Sequence, residues 1–492
     1  MALPSPTGIN IFRRDRSTGV LHLTWIAFFI SFFVWFNHAP LMTSIQVTLG
    51  LTDQEVRAIL ILNVALTIPA RVVVGMLVDR LGPRRVYSAL LVISGVLCLM
   101  FAAAQSFAML ALTRFLLGFV GAGFVVGARM ISEWFPAKQV GLAQGIYGGW
   151  GNFGSAAAAV ALPSVALIFG GDEGWRLAVA LTGVVAMIYG AIYYISVTDT
   201  PQGATYFKPK KSGALEVTSP WDFVLYLLMQ APMILALGIL AWKLGPSGVG
   251  LLPDGAVYGA YLFLAALYAY QIRQAYQVNH TVFTQTVPEI HQYKFSQVVI
   301  LGMTYMVTFG SELAVVSMLP LYLMSTFDLS VATAGLLAGG FAGTNLFARP
   351  MGGWLSDTFG RRRISLVLVG GAACGYLLMS LISADTGLVF AVFATLTCSI
   401  FVNAGNGSVY AVIPIIKRRL TGQIAGMVGA FGNVGGVLFL TVYAQFSPQV
   451  FFLTIAATSL FTFVATLIFF QDPKGAMAEI EPDGSVTMID VV

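Results

Sequence analysis

Arg71 and Arg349 are the residues of this chain best equipped to bind something. Each lies in an apolar run, eight residues before an aspartate, Asp79 or Asp357. At 1.5 Å per helical residue that separation is about 12 Å, close to the middle of a hydrocarbon core about 30 Å thick. An arginine at such depth costs about 2.5–3.5 kcal/mol on insertion scales, so it marks a pathway or a paired site. No acid stands one turn away on either run. Two unpaired guanidinium groups facing a common cavity would grip a small anion with planar, forked donors. The alternative is neutralisation by acids on other helices, of which few lie at midplane depth.

Other residues cluster around the same chemistry. In "TYMVTFGSE", Tyr305, Phe309 and Glu312 have i, i+4, i+7 spacing and so share one helix face. A carboxylate inside the membrane is a proton-relay candidate, although Glu312 could instead pair with Arg114 or another residue toward the outer end. His38, in "WFNHAP", can titrate near neutral pH and is a second candidate for proton coupling. Aromatic pairs at i, i+4 are by pattern alone more often core packing than a ligand cage. Arg129 and Glu133, four apart, suit a local ion pair. His280 and His291 fall in a polar stretch and suggest no site. The amides come from a segment written twice, "GIYGGWGNFG" and "GMVGAFGNVG". Gly145, Gly148, Gly151 and Gly154 of the first answer Gly426, Gly429, Gly432 and Gly435 of the second, and Asn152 answers Asn433. Small residues at this spacing let membrane helices approach closely. Packing explains the glycines but not the two asparagines, which would offer donors at midplane depth.

A membrane bundle must position these groups. Charged residues make up 10% of the 492 and hydrophobic ones 58%, with a mean hydropathy of +0.84; a soluble chain would carry about a quarter charged residues. Apolar runs cover 23–44, 57–79, 86–104, 107–131, 140–168 and 175–196, then 221–243 and 256–274, then 296–325, 332–356, 364–383, 387–415, 421–446 and 449–470. That predicts an all-α protein of about fourteen spans: an N-terminal six-helix half (1–200), a linker with two inserted helices (201–290), a C-terminal six-helix half (291–471) and a cytoplasmic tail (472–492). Basic clusters such as "FRRDR", "DRLGPRR", "KPKK", "DTFGRRR" and "IKRR" all fall on one side, which makes it cytoplasmic and puts both termini there. The net charge of +5 reads as these loops rather than a nucleic-acid footprint. Arg13, Arg14 and Arg16 precede the first run with no small-residue cleavage site after it. Cys98, Cys374 and Cys398 lie in apolar runs without metal-ligand spacing, so they read as buried thiols, and no metal or cofactor is expected.

The repeat binds the two sets together. Arg71, Gly75, Asp79, Gly82 and Arg84 match Arg349, Gly353, Asp357, Gly360 and Arg362 at one constant offset. Parallel repeats of six spans are the mark of a transporter whose site lies at their interface near the midplane. "GMLVDRLGPRR" and "GGWLSDTFGRRR" resemble the loop motif of the major facilitator superfamily. The resemblance implies that fold, with Asp79, Arg84, Asp357 and Arg362 acting as a conformational latch rather than as ligands. Arg114, in "RFLLGFVGAG", resembles a further motif of that superfamily. The paired arginines with the doubled glycine–asparagine signature are similar to the nitrate/nitrite porter family, across both halves. "FGSELA" resembles its cyanobacterial, fungal and plant high-affinity uptake branch. The resemblance implies that Tyr305, Phe309 and Phe124 (in "GAGF") line the anion site beside Arg71, Arg349, Asn152 and Asn433.

The function expected is secondary active uptake of nitrate, and nitrite, across the plasma (inner) membrane by alternating access, with protons as coupling ion and the chain acting as a monomer. Nitrate/nitrite antiport is the runner-up. A facilitator for an organic anion would need a wide cavity lined by small polar residues, which the glycine-rich packing disfavours. A sensor would need an output domain larger than the tail after Phe470. An enzyme would need a nucleophile–base set or metal ligands, which four scattered histidines do not supply.

Overall fold

A computed structural model describes residues 9–170, 173–209, 211, 213–285, 287, 292–329, 331–472, 476–480 and 486–490. His291 and Lys210 of the "KPKK" cluster lie outside them. The apolar runs form helices because a chain in lipid must satisfy its backbone groups internally. In order these are α1 (Arg16–Leu49), α2 (Asp53–Leu81), α3 (Pro83–Ala102), α4 (Phe107–Trp134), α5 (Ala137–Phe169), α6 (Gly174–Ser196), α7 (Pro220–Leu244), α8 (Asp254–Phe283) and α9 (Phe295–Phe327). Then come α10 (Val331–Gly343 and Asn345–Phe359), α11 (Arg361–Ser380), α12 (Gly387–Ile416), α13 (Arg418–Gln445) and α14 (Pro448–Phe469). Local signals set their ends. Thr52 and Glu55 form a capping box at the start of α2, Ser106 caps α4 and Ser219 caps α7.

Thirteen helices among the described residues are long and apolar enough to cross a membrane, one fewer than the fourteen runs. The difference is α10, which breaks at Thr344 into pieces of 13 and 15 residues. Its glycines and the polar Thr344–Asn345 pair interrupt the run, yet the two pieces together extend about 42 Å, enough for one crossing. A second departure follows α14, where strand β1 (Ala476–Ile480) pairs antiparallel with β2 (Val486–Asp490). The bundle is all-α as expected, and this short ribbon lies in the tail beyond it. Cys98 and Cys398 are buried as expected, but Cys374 is exposed on its helix.

The halves α1–α6 and α9–α14 meet along α2 against α13 and α5 against α10. A Cβ at Gly75 would stand 2.4 Å from Gly422 O, and one at Gly145 would stand 2.5 Å from Pro350 Cα. Small residues make these crossings possible. Of the inserted pair, α7 packs against α2, α9 and α13, so it touches both halves, while α8 packs mainly on α7. The Tyr268 hydroxyl donates to Leu227 O (3.2 Å) and ties the two together.

Candidate anion site

The two arginine helices are broken at equivalent places. Leu66 interrupts α2 and Thr344 interrupts α10, each five residues before its arginine. Both guanidinium groups are fully buried. Arg71 donates from Nε to Gly121 O (3.2 Å) and from Nη1 to Gly429 O (2.6 Å), and its Nη2 has no partner. Arg349 donates from Nη2 to the Tyr305 hydroxyl (3.4 Å), and its Nη1 has no partner. The same Phe124 ring lies beside both, 5.9 Å from Arg71 Cζ and 4.9 Å from Arg349 Cζ, and Phe309 lies 5.1 Å from Arg71 Cζ. Neither arginine forms an ion pair among the described residues. A direct ion pair with an acid on another helix is thus not how they are held among the described residues. Cation–π contacts and carbonyls carry part of the cost, and each still has buried N–H donors that only an added acceptor can satisfy.

An aromatic frame surrounds them. Tyr305 stacks on Phe309 (centroids 5.0 Å, planes 7° apart) and lies parallel to Phe124 (6.5 Å, 2°). Tyr147 stacks on the same Phe124 ring (5.7 Å, 6°), and Tyr410 meets Phe124 and Tyr305 edge-on at 4.5 and 5.1 Å. Sequence reasoning singled out Tyr305, Phe309 and Phe124 and missed Tyr147 and Tyr410. Tyr147 lies inside the first glycine signature and Tyr410 in "NGSVY", but nothing in their spacing said that their rings meet one phenyl group.

Glu312 does not pair with Arg114. A π-helical turn, Met306–Gly310, intervenes in α9 and changes the phase between Tyr305 and Glu312. The carboxylate accepts from Asn345 Nδ2 and, at 2.7 Å, from Asn406 Nδ2. Asn345 is one turn before Arg349, so the acid sits beside the arginine helix without an ion pair. Asn345 and Asn406 were missed; their signal was polarity inside runs that should be apolar. Arg114 instead donates to Asn63 Oδ1 (3.0 Å), Asn37 Oδ1 (3.3 Å) and Trp35 O. His38 is buried with both ring nitrogens unpartnered. With Asn433, whose amide also lacks partners, it lines a cavity of about 500 Å³. Asn152 Oδ1 is likewise without a partner. Neither signature asparagine hydrogen-bonds an arginine.

The signature glycines make room for the arginines of the opposite half. A Cβ at Gly148 would stand 2.6 Å from Arg349 Nε, and one at Gly429 would stand 3.2 Å from Arg71 Cδ. Farther along each helix, Gly151 and Gly154 admit Phe28 and Phe29 of α1, while Gly432 and Gly435 admit Tyr305 and Met306 of α9.

The loop residues join the halves on the side of the basic clusters. Asp79 accepts from the amides of Gly422 and Gln423 at the start of α13, both at 2.8 Å, and pairs with Arg129 at 3.4 Å. A helix start favours such an anion. Asp357 accepts from the Leu142 amide of α5 (3.0 Å) and pairs with Arg361 (3.7 Å). Arg84 and Arg362 take different partners. The Arg84 amide donates to Asp199 (2.8 Å) and its Nε to Tyr194 O (2.6 Å); the Arg362 amide donates to Asp472 (2.7 Å) and its Nη2 to Leu467 O (2.6 Å). Burial holds the Asp199 carboxyl above its usual range, opposed by the Arg84 amide and charge. Arg129 also pairs with Glu133 at 3.0 Å, as the spacing suggested.

The Major Facilitator Superfamily profile matches residues 24–288 and 301–487. The chain is 45% identical over 466 residues to the nitrate/nitrite transporter NrtP of Nostoc punctiforme, covering 93% of each chain. It is 45% identical over 504 residues to the nitrate/nitrite transporter NrtP of a Picosynechococcus species, covering 94% of each. To the high-affinity nitrate transporter 2.3 of Oryza sativa it is 28% identical, covering 85% of this chain and 70% of that one. Among solved structures, the human organic anion transporter MFSD10 (TETRAN) superposes with a TM-score of 0.64 at 12% identity, over 92% of this chain and all of that one. The proton:xylose symporter XylE gives 0.60 at 12% identity, over 93% and 96%. These two speak for the fold alone. The chain is a multi-pass membrane transporter and not an enzyme, and it belongs to the Major Facilitator Superfamily, on the branch that holds the nitrate/nitrite transporters.

Proposed function

We propose that this chain takes up nitrate, and nitrite, across the plasma (inner) membrane by alternating access, with protons as the coupling ion. One observation carries the reading: two buried arginines from opposite halves flank a single phenyl ring, and each keeps an N–H group without an acceptor. A flat monovalent oxyanion suits planar donors and stacked rings, and both cyanobacterial relatives are named for that substrate pair. Asn152 and Asn433, one turn beyond Gly148 and Gly429, offer further donors as it moves.

Two arginines and one nitrate leave one positive charge in excess. Glu312, ionised, balances it; protonated, it restores the excess and favours holding the anion. That makes Glu312 the proton carrier of this reading, and His38, whose ring nitrogens bond neither to Glu312 nor to an arginine, is left off the path. The contacts of Asp79 and Asp357 lock the halves on the basic-loop side, which is cytoplasmic by its charge, while the cavity beside Asn433 lies toward the other side. Both termini are then cytoplasmic. The site is made by two halves of one chain, so a monomer suffices.

The test is nitrate uptake into proteoliposomes under an imposed pH gradient, with and without internal nitrite. Accumulation driven by the gradient alone is expected. A strict requirement for internal nitrite would replace symport with nitrate/nitrite antiport.

A further inference from the structure

The inserted helix α7 contributes more than contacts to the halves. The cavity of about 500 Å³ lies between α1, α2, α7, α9 and α13, and α7 gives it Leu240 and Lys243. Its polar lining is His38, Asn63, Lys243, Ser317 and Asn433, and Lys243 is the one lysine, arginine or carboxylate among the lining residues. No ion-pair partner of Lys243 occurs among the described residues. Behind the wall, buried Arg114 donates to Asn63. At the inner end, Asn433 is one helical turn from Gly429, whose carbonyl accepts from Arg71.

The side of the bundle on which this cavity lies is poor in positive charge. The loops and helix starts on that side carry Asp53, Glu55, Glu173, Asp254, Asp328 and Asp385. Against them stand Arg57, Lys243 and Arg176, and the last is already tied to Glu173 and to the carbonyls of Ala102 and Ala104. A monovalent anion arriving from that side meets more acidic than basic groups, and Lys243 is the positive group that lines the cavity.

We infer that Lys243 of the inserted helix is an outer anion station, which draws a small inorganic anion into the cavity and hands it by way of Asn433 to Arg71. The inference rests on the anion-transport reading above. A lysine at a helix end can also snorkel toward the membrane surface without touching substrate, and the two roles separate by measurement. A unit charge about 10 Å from the anion's path, with an effective dielectric between that of a protein surface and that of water, alters local anion concentration about two- to fivefold.

The experiment is nitrate uptake by proteoliposomes carrying the full-length wild type, Lys243→Gln, Lys243→Glu and Lys243→Arg, across a series of potassium gluconate concentrations. Lys243→Gln is expected to raise KM about two- to fivefold and Lys243→Glu further, each with a smaller change in maximal rate, and Lys243→Arg to restore the wild-type KM. Screening also relieves the repulsion by the acids of that side, so the expected signature is relative: with added salt KM rises more, or falls less, in the wild type than in Lys243→Gln. A wild type that transports nitrate while Lys243→Glu keeps its KM overturns the station and leaves the transport reading standing. A wild type that takes up no nitrate removes that reading and this inference with it. Should the neutral and acidic variants fail to fold, Lys243→Met in the same salt series takes their place, and a KM and salt response equal to the wild type's overturn the proposal.

Discussion

Gly148 and Gly429 occupy matching places in the two signatures, so the sequence predicts equal consequences for Gly148→Ala and Gly429→Ala. The structure separates them. A Cβ at Gly148 would stand 2.6 Å from Arg349 Nε and 2.9 Å from its Cζ, about 0.8 Å short of ordinary contact. The guanidinium is the far end of a flexible side chain, so it can yield without unfolding the bundle. Yielding, however, shifts the donor that the anion needs. Loss of one charge-assisted hydrogen bond is worth about 1.5–3 kcal/mol, or about 10- to 150-fold in affinity. At Gly429 the nearest atoms are the Tyr410 hydroxyl at 3.1 Å and Arg71 Cδ at 3.2 Å. A few tenths of an ångström suffice there, and about threefold or less is expected, equivalent to roughly 0.7 kcal/mol. The assay is KM for nitrate uptake in proteoliposomes, with monodispersity and thermal unfolding of each purified variant as the check on folding. Equal losses in the two variants, or a greater loss in Gly429→Ala, would refute the claim that Gly148 is shaped to the guanidinium of Arg349.

Glu312→Gln should retain nitrate/nitrite exchange but lose at least about tenfold of gradient-driven accumulation; undiminished accumulation would remove Glu312 as proton carrier. His38→Gln should keep gradient-driven accumulation, because neither ring nitrogen bonds to Glu312 or to an arginine; its loss would move the proton path to the outer end of the cavity. Asp79→Asn replaces a charged acceptor of two helix-start amides and of Arg129, and should weaken the closure on the basic-loop side by about 1–3 kcal/mol. Spin labels on the basic-loop ends of α2 and α13 should then report longer distances, and an unchanged distribution would deny the latch its role.

The bundle and its pseudo-symmetry were legible because both rest on local composition and on a repeat in register. Arg71 and Arg349 stood out because an arginine in an apolar run is costly wherever its side chain ends up. The breaks at Leu66 and Thr344 were hidden, since an interruption inside lipid depends on partners from other helices that re-satisfy the backbone. For the same reason the tenth crossing, α10, was written as one run and forms as two pieces. The π-helical turn adds to the α9 register and redirects Glu312 to Asn345 and Asn406, where straight i, i+4, i+7 counting kept it on the face of Tyr305 and Phe309. Tyr147 and Tyr410 come from α5 and α12 to meet Phe124 of α4, a tertiary convergence that no spacing within one helix encodes. The loop motif pointed to aspartates that touch the opposite half, with partners it did not name: Arg129, set aside as a local pair with Glu133, also pairs with Asp79, while Arg84 and Arg362 bind elsewhere.

The central claim is that the two buried arginines together hold the anion. It is tested most directly by calorimetric titration of nitrate into the purified wild type, Arg71→Lys and Arg349→Lys. Lysine keeps the charge and loses the planar fork. Saturable binding by the wild type and a loss of at least about tenfold in affinity for each variant are expected, the value of one charge-assisted hydrogen bond. Wild-type affinity in either folded variant would contradict the account.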